Sequence, residues 1–287
     1  SLYWLSLLID TTLPIAGIAA QRPHGELSND GDRNIVDAVD YVLSGLGDGL
    51  GAVGIQDQVI FASRELKKAD ARPGNYKATG GHGGVLGSVK EGIAIWYKPN
   101  YKHTHASDVN LSKLPNSVTL SDGSEYETKT PDGSLIPERI PRVRIIKYAS
   151  YSQETDSDDP SLVTDILGWI EEALRNQKSQ SENVPKLHGV VFEGLSPYAV
   201  GGQSYYRAME SASASGIPLV RVGRSDPGGR VSTDPRDLMI EGSNLDSTKA
   251  RLLLIASMLK LGAFPRAKDP LNPTNEERQL ITNKAAE

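Results

Sequence analysis

Polar and charged side chains interrupt an apolar pattern between residues 18 and 35, where the sequence reads IAAQRPHGELSNDGDRNI. Gln21, Arg22, Asp30 and Asn34 follow a short apolar run and lead into VDAVDYVL, which has the pattern of a helix. In α/β proteins, binding and catalytic groups often lie in the loop between a buried strand and the next helix. The sequence therefore places a candidate site in this loop, although an ordinary strand-to-helix connection would occupy the same position.

A second candidate is Lys68, which follows a strand-like segment in the stretch ASRELKKADA. A lysine at this position is either a solvated charge or, if it is buried beside a carboxylate, a group that transfers protons in catalysis. The residue types leave both interpretations open.

Three further patterns give weaker signals. The run 80–88, GGHGGVLGS, lacks the Gly-Lys-Ser/Thr ending of a phosphate-binding loop, so it predicts a turn-rich or mobile loop. His103 and His105 have no carboxylate beside them in a ligand pattern, which favours a polar linker over a metal site. The chain has no cysteine, which excludes disulfides and a cysteine nucleophile. We expect neither a metal nor a cofactor.

The bulk composition restricts the class of partner. A net charge of −5 without a concentrated basic face argues against nucleic acid. The N-terminal SLYWLSLLID is apolar but stops at Asp10 and lacks a basic region, so we expect neither a signal peptide nor a membrane span. The sequence leaves localisation open between cytoplasm and periplasm.

Strand and helix patterns alternate along the chain, which favours an α/β fold with parallel sheets and covering helices. Strand-like segments lie at 13–19, 51–62, 142–148, 187–195 and 217–223, and helical patterns at 34–46, 160–175, 204–214, 245–262 and 274–286. A polar stretch with Asp-Gly turns at 122–123 and 132–133 predicts a hairpin or a linker. We therefore divide the chain into residues 1–115, a linker or hairpin at 116–141, and residues 142–287.

The order of these segments resembles the bacterial-type L-asparaginase/glutaminase amidohydrolases. The first loop is similar to the family's Gly-Ala-Met-Arg-Pro and Ser-x-Asp-Gly motifs at Ala20, Arg22, Pro23, Ser28, Asp30, Gly31 and Asn34. IQDQVIFASRELKKADA resembles the segment that carries the family's catalytic lysine, which falls on Lys68, with Lys67 as the weaker register. GIPLVRVGRS and GSNLDSTKARLLL resemble a strand and the closing helix of its C-terminal domain.

The resemblance implies a larger N-terminal three-layer parallel-sheet domain, incomplete here, and a smaller flavodoxin-like C-terminal α/β domain. It implies hydrolysis of a side-chain amide through an acyl-threonine intermediate, with release of ammonia. The family's Thr-Gly-Gly-Thr and Thr-Asp-Thr motifs do not occur in these 287 residues. We therefore expect a fragment, a processed product or one subunit of a split enzyme. A homotetramer is the expected assembly, with a separate N-terminal polypeptide as a further candidate partner.

The resemblance also assigns roles to residues. Lys68 is the catalytic candidate; Ala20, Gln21 and Gln203 are the substrate-binding candidates; Arg22, Ser28 and Asp30 are expected to brace the loop. The family's Gly-Asn-Gly-Asn loop is replaced by GLSPYAVGGQ at 194–203, which leaves the choice among L-asparagine, L-glutamine and another small amide open. The alternative is a non-catalytic small-molecule-binding protein with the same fold.

Overall fold

The computed structural model describes residues 2–78, 84–120, 123–148, 188–195, 198–199, 203–224 and 238–287, with the backbone alone at 203–205. The chain divides into two compact units, Ser1–Lys113 and Leu114–Glu287. The segment 116–141, predicted as a linker or hairpin, belongs to the second unit.

The first unit is built around a five-stranded sheet. Its elements are α1 (Leu2–Leu8), β1 (Ile15–Ile18), α2 (Gly31–Leu43), β2 (Ala52–Gln56), β3 (Val59–Ala62), β4 (Leu66–Lys68), β5 (Tyr76–Ala78), β6 (Val85–Ser88) and β7 (Ala94–Ile95). The sheet has the order β1-β2-β3-β6-β7, in which β1 and β2 are parallel and the other neighbours antiparallel. Strands β4 and β5 form a separate antiparallel pair.

A tight turn explains why β2 and β3 are antiparallel. The sequence pattern predicted strand character throughout 51–62 with a break at Gln56-Asp57, and the structure resolves this stretch into a hairpin. Asp57 and Gln58 have φ values of 47° and 63°. Two consecutive left-handed residues form the turn whose twist matches that of paired antiparallel strands.

The core of the first unit lies between α2 and the sheet. The buried side of α2 presents Asn34, Asp37 and Tyr41, which recur at helical spacing. The apolar cluster beneath it comprises Tyr41, Val53, Ile55, Ile60, Ala62, Leu86 and Val89. Strand β2 is buried along its whole length, as expected for a strand inside the sheet.

The second unit begins with an antiparallel pair and continues as a parallel α/β layer. Its elements are β8 (Ser117–Thr119), β9 (Glu125–Glu127), β10 (Arg142–Lys147), β11 (His188–Gly194), α3 (Gln203–Ala214), β12 (Leu219–Gly223), β13 (Ile240–Glu241), α4 (Ser247–Leu261) and α5 (Asn275–Ala286). Strands β10 to β13 are neighbours in chain order, and every pairing among them is parallel.

Local signals define the two C-terminal helices. Asp246 caps α4 by accepting a hydrogen bond from the backbone N–H of Lys249, and Gly262, at φ 71°, ends the helix. Thr274 and Glu277 form a reciprocal capping box at the start of α5. The helix predicted at 160–175 lies outside the described residues.

Both units combine helices with sheets that contain parallel strands, which confirms the α/β class. Across the described ranges, no helix combines the length and apolarity needed to cross a bilayer.

Candidate active site

The loop between β1 and α2 is organised around the carboxylate of Asp30, which is 5% exposed. This carboxylate accepts hydrogen bonds from the backbone N–H of Gln21, at 3.1 Å to each oxygen, and of Arg22, at 2.9 Å. It also accepts a hydrogen bond from the side-chain amide of Gln56 at 2.5 Å. These contacts fix the backbone immediately after β1, at the carboxyl ends of the two parallel strands.

The same contacts determine the charge state of Asp30. Burial is the largest single influence and favours the neutral acid. The hydrogen bonds from the backbone of Arg22 and Gln21 and from Gln56 favour the carboxylate, and together they outweigh burial. The pKa of Asp30 therefore lies below its usual value, and the group is a carboxylate at neutral pH.

Asn34 extends the network from the first turn of α2 to the end of β2. Its amide nitrogen donates to the carbonyl oxygen of Ala19 at 2.7 Å and to the side-chain oxygen of Gln56 at 3.1 Å. Its amide oxygen accepts from the backbone N–H of Asp57 at 3.1 Å. The sequence placed Asn34 in the candidate loop without a role, and it did not predict Gln56 as a site residue. The sequence pattern around Asn34 and Gln56 predicts buried positions, and a polar side chain at such a position indicates a hydrogen-bonded network.

Gln21 connects this loop to the β4–β5 hairpin. Its side-chain nitrogen donates to the carbonyl oxygens of Asp70 at 3.3 Å and Arg72 at 2.8 Å, and its side-chain oxygen accepts from the backbone N–H of Asn75 at 3.2 Å. The amide of Gln21 therefore holds the loop that follows Lys68.

Arg22 and Ser28 lie nearer to solvent. The guanidinium of Arg22 lies 3.4 Å from the carboxylate of Asp57, and both side chains are about one-third exposed. A pair with this exposure contributes little to stability. Ser28 is exposed and has a φ of 62°, so it marks a tight left-handed bend of the loop.

An open cleft of about 320 Å³ lies beside the loop and is lined by Ala20, Gln21, Arg22, Pro23, His24, Asn29, Gly31, Asp32 and Ile35. This volume is at the lower end of the range for small-molecule sites. Ala20 is exposed here, directly after Ala19, whose carbonyl is held by Asn34. The loop thus presents a fixed backbone to an open cleft.

Lys68 ends β4, where it lies opposite Tyr76 in β5. Its side chain is exposed and makes no ion pair with any residue that the structure describes. Neighbouring residues of a strand point to opposite faces, so Lys67 and Lys68 present their ammonium groups on opposite sides of the hairpin. Lys68 is followed by the loop that the side chain of Gln21 holds, and the backbone N–H of Gln21 donates to Asp30.

The remaining candidates lie apart from this network. The backbone of Gln203 begins α3, and its side chain lies outside the described residues, as do residues 80–83 of the glycine-rich run. His103 is buried, and burial, followed by the charge of His105, lowers its pKa. The two imidazole rings lie 6.3 Å apart, edge to face. Within the described ranges, no group of three His, Asp or Glu side chains is arranged to hold a metal ion.

Comparison with known proteins places this geometry in context. No family model matches the chain. A 113-residue stretch is 30% identical to a glutaminase-asparaginase from Acinetobacter glutaminasificans, and it covers 39% of this chain and 34% of that relative's own length. The crystal structure of a probable cytoplasmic L-asparaginase from Campylobacter jejuni matches 98% of this chain and 74% of its own with a TM-score of 0.65, at 20% sequence identity.

The structural match shows that the chain has the fold of an L-asparaginase, and the sequence match is to a protein named for both glutaminase and asparaginase activity. At 20% identity the structural match shows the fold alone, and the chain spans about a third of the length of the curated relative that it matches.

Proposed function

We propose that the chain forms part of an asparaginase-like amidohydrolase that hydrolyses the side-chain amide of L-asparagine, with L-glutamine or another small amide as the alternative substrates. The observation that supports this proposal best is the network around Asp30, in a chain with the L-asparaginase fold. It holds the backbone of residues 19–22 at the edge of an open cleft, as a substrate-binding loop requires.

In the proposed reaction, a threonine hydroxyl from outside these 287 residues attacks the carbonyl carbon of the side-chain amide. The C–N bond breaks, and the nitrogen takes up a proton and leaves as ammonia. Water then hydrolyses the acyl ester, which yields the carboxylate and restores the threonine. The scheme requires no cofactor.

Within this scheme, Lys68 transfers protons, and the Ala20 backbone and Gln203 contact the substrate. Arg22, Ser28 and Asp30 hold the loop. Because the amide of Gln21 already binds the β4–β5 loop, we assign it to positioning the segment that carries Lys68. We expect a homotetramer, in keeping with the family resemblance.

The test is ammonia release by the assembly purified from its own cells, with L-asparagine, L-glutamine and a small panel of other amides. Lys68→Ala should lower the rate by roughly a hundredfold or more, the usual effect of removing a group that transfers protons. Lys67→Ala is the matched control, because it removes the same charge from the opposite face of the strand. Equal losses in both variants would remove Lys68 from the mechanism, and no hydrolysis of any amide would remove the proposed function.

Lys68 is exposed and has no ion-pair partner among the residues that the structure describes, which favours one second candidate, a protein that binds a small amino acid without turnover. Calorimetric titration with L-asparagine and L-aspartate separates the two candidates. Binding without ammonia release supports the non-catalytic protein, whereas binding with release supports the enzyme.

A further inference from the structure

The loop at 23–29 lies on the rim of the candidate cleft and makes few contacts of its own. Its tip, Leu27, is 96% exposed, and Gly25 and Ser28 have φ values of 94° and 62°. In the part of the chain that the structure describes, the side chains of residues 25–28 form no hydrogen bond or ion pair. Segments with few contacts open locally at low cost, so the contacts at the two ends of this loop determine whether it stays closed.

One side-chain contact joins the two ends of the loop. The side-chain amide nitrogen of Asn29 lies 3.2 Å from Nδ1 of His24, within hydrogen-bonding distance. The backbone N–H of Glu26 donates to the carbonyl oxygen of Pro23, also at 3.2 Å, and closes the first bend of the same loop. We call the contact between His24 and Asn29 the His24–Asn29 clasp; both of its residues line the cleft.

A second contact of Asn29 determines which group donates in the clasp. The backbone N–H of Gly31, which can only donate, lies 2.8 Å from the side-chain oxygen of Asn29. This oxygen is therefore the acceptor for Gly31, and the amide nitrogen, a donor, is the atom that faces His24. Because a donor faces it, Nδ1 of His24 carries a lone pair and not a proton. The clasp consequently requires a neutral imidazole with its proton on Nε2.

Protonation of His24 would break the clasp. In an imidazolium both ring nitrogens carry a proton, so Nδ1 would present a donor to the donor of Asn29. Imidazole is the side chain whose charge ordinarily changes between about pH 5 and 8, whereas carboxylates and guanidinium groups keep theirs. Two donors cannot form a hydrogen bond, so the loop would lose the contact that joins its ends.

Charges of both signs surround this imidazole. Arg22 on the same loop and Asp32 in the first turn of α2 line the cleft with it, and Glu26 follows in the loop. The guanidinium of Arg22 repels an imidazolium, and the two carboxylates attract it. Asp30 keeps its negative charge from pH 5 upward, because its pKa lies below its usual value of 3.8. The Asp30 network, which anchors the far end of the loop, therefore does not titrate together with the clasp.

We propose that the His24–Asn29 clasp is a proton-sensitive closure of the candidate cleft, formed when His24 is neutral and open when it is protonated. The inference deepens the proposed function and rests on it in one respect, because it takes this cleft as the site that binds the amide substrate. The clasp regulates that site by acid, since the rim is ordered at neutral pH and loosened below it.

Hydrogen–deuterium exchange, read by mass spectrometry on the assembly purified from its own cells, tests the clasp at about pH 7.5 and about pH 5.5. The measured quantity is the protection of the peptide at 22–31, corrected for the intrinsic pH dependence of exchange. The buried strand β2 is the internal reference. We expect the protection of the loop to fall by roughly three- to tenfold on acidification, the range that one hydrogen bond supports, while that of β2 stays constant.

Three variants assign this change to the clasp. His24→Asn keeps an acceptor near the position of Nδ1 but does not titrate, so the loop should keep the same protection at both pH values. Asn29→Asp replaces the donor with a second acceptor, which pairs with an imidazolium, so protection should rise on acidification. His105→Asn is the matched control, because it removes an exposed imidazole elsewhere in the first unit, and it should behave like the native protein.

Two results would overturn the inference. Equal protection of the native loop at both pH values would mean that the clasp does not respond to protons. A fall in His24→Asn or in Asn29→Asp as large as in the native protein would place the titrating group elsewhere. Because exchange records the opening of the loop and not hydrolysis, either result leaves the ammonia-release test of the proposed function independent.

Discussion

Replacing Asp30 with asparagine tests whether the carboxylate organises the loop. The substitution keeps the size of the side chain but turns one acceptor oxygen into an N–H donor. The new N–H group would lie opposite another donor, either the backbone N–H of Arg22 or the side-chain N–H of Gln56, and two donors cannot form a hydrogen bond. A buried donor left without a partner costs about 1–3 kcal/mol, and the bonds that remain lose the contribution of the charge. We expect Asp30→Asn to lower the free energy of unfolding by roughly 2–4 kcal/mol at pH 7.

The pH dependence of this loss has a definite sign. The pKa of Asp30 is lowered in the folded protein from a reference value of 3.8, so the carboxylate stabilises the fold above that value. Its contribution disappears as the pH falls through the lower, folded-state pKa. The difference between the native protein and Asp30→Asn should therefore be complete at pH 7 and smaller near about pH 3.

Urea unfolding followed by tryptophan fluorescence measures the loss of unfolding free energy at each pH. Trp4 and Trp96 belong to the first unit and report its unfolding. Asp32→Asn is the matched control, since Asp32 is exposed in the first turn of the same helix and should cost less than about 1 kcal/mol. A loss at Asp30 no larger than at Asp32, or a loss that is the same at both pH values, would refute the bracing role.

Three smaller predictions can be tested by urea unfolding, the first two through tryptophan fluorescence and the third, in the second unit, through the circular dichroism of its helices. Gly51→Ala should destabilise more than Gly45→Ala at nearly the same φ, because only at Gly51 would the new Cβ lie 2.7 Å from the ring of His103; equal losses would exclude a steric cause. Gln58→Gly should raise the free energy of unfolding by about 0.5 kcal/mol. Glycine relieves the strain of the left-handed conformation by more than it adds to the entropy of the unfolded chain, and a lower free energy of unfolding would contradict this. Thr274→Ala should cost about 1 kcal/mol through loss of the capping box, and Thr274→Ser should recover most of it.

Local patterns predicted most of the regular structure. The apolar run at 187–195 became β11 (His188–Gly194), and the segment expected to end at Gly262 became α4. These elements depend on residues a few positions apart, so a short window of the sequence is enough to predict them.

The candidate site was less predictable, because its contacts join distant segments. Asp30 occupies the N-cap position of α2 but makes no side-chain capping bond, since its carboxylate binds the backbone of Gln21 and Arg22 instead. No local rule indicates that the amide of Gln21 binds a loop about fifty residues away. The roles assigned to Lys68 and to the loop residues remain predictions until variants are measured.

The link from Gln21 to residues 70–75 also has a consequence for the order of folding. Its partners become available only after β1, α2, β2, β3 and β4 have been synthesised, so this contact closes a long loop and its entropic cost arises late. A nascent chain shorter than this hairpin can form its first helices and strands but not the finished loop. Order in the β4–β5 turn would therefore report that the loop after β1 has docked on this hairpin, a late event that local helix formation cannot mimic.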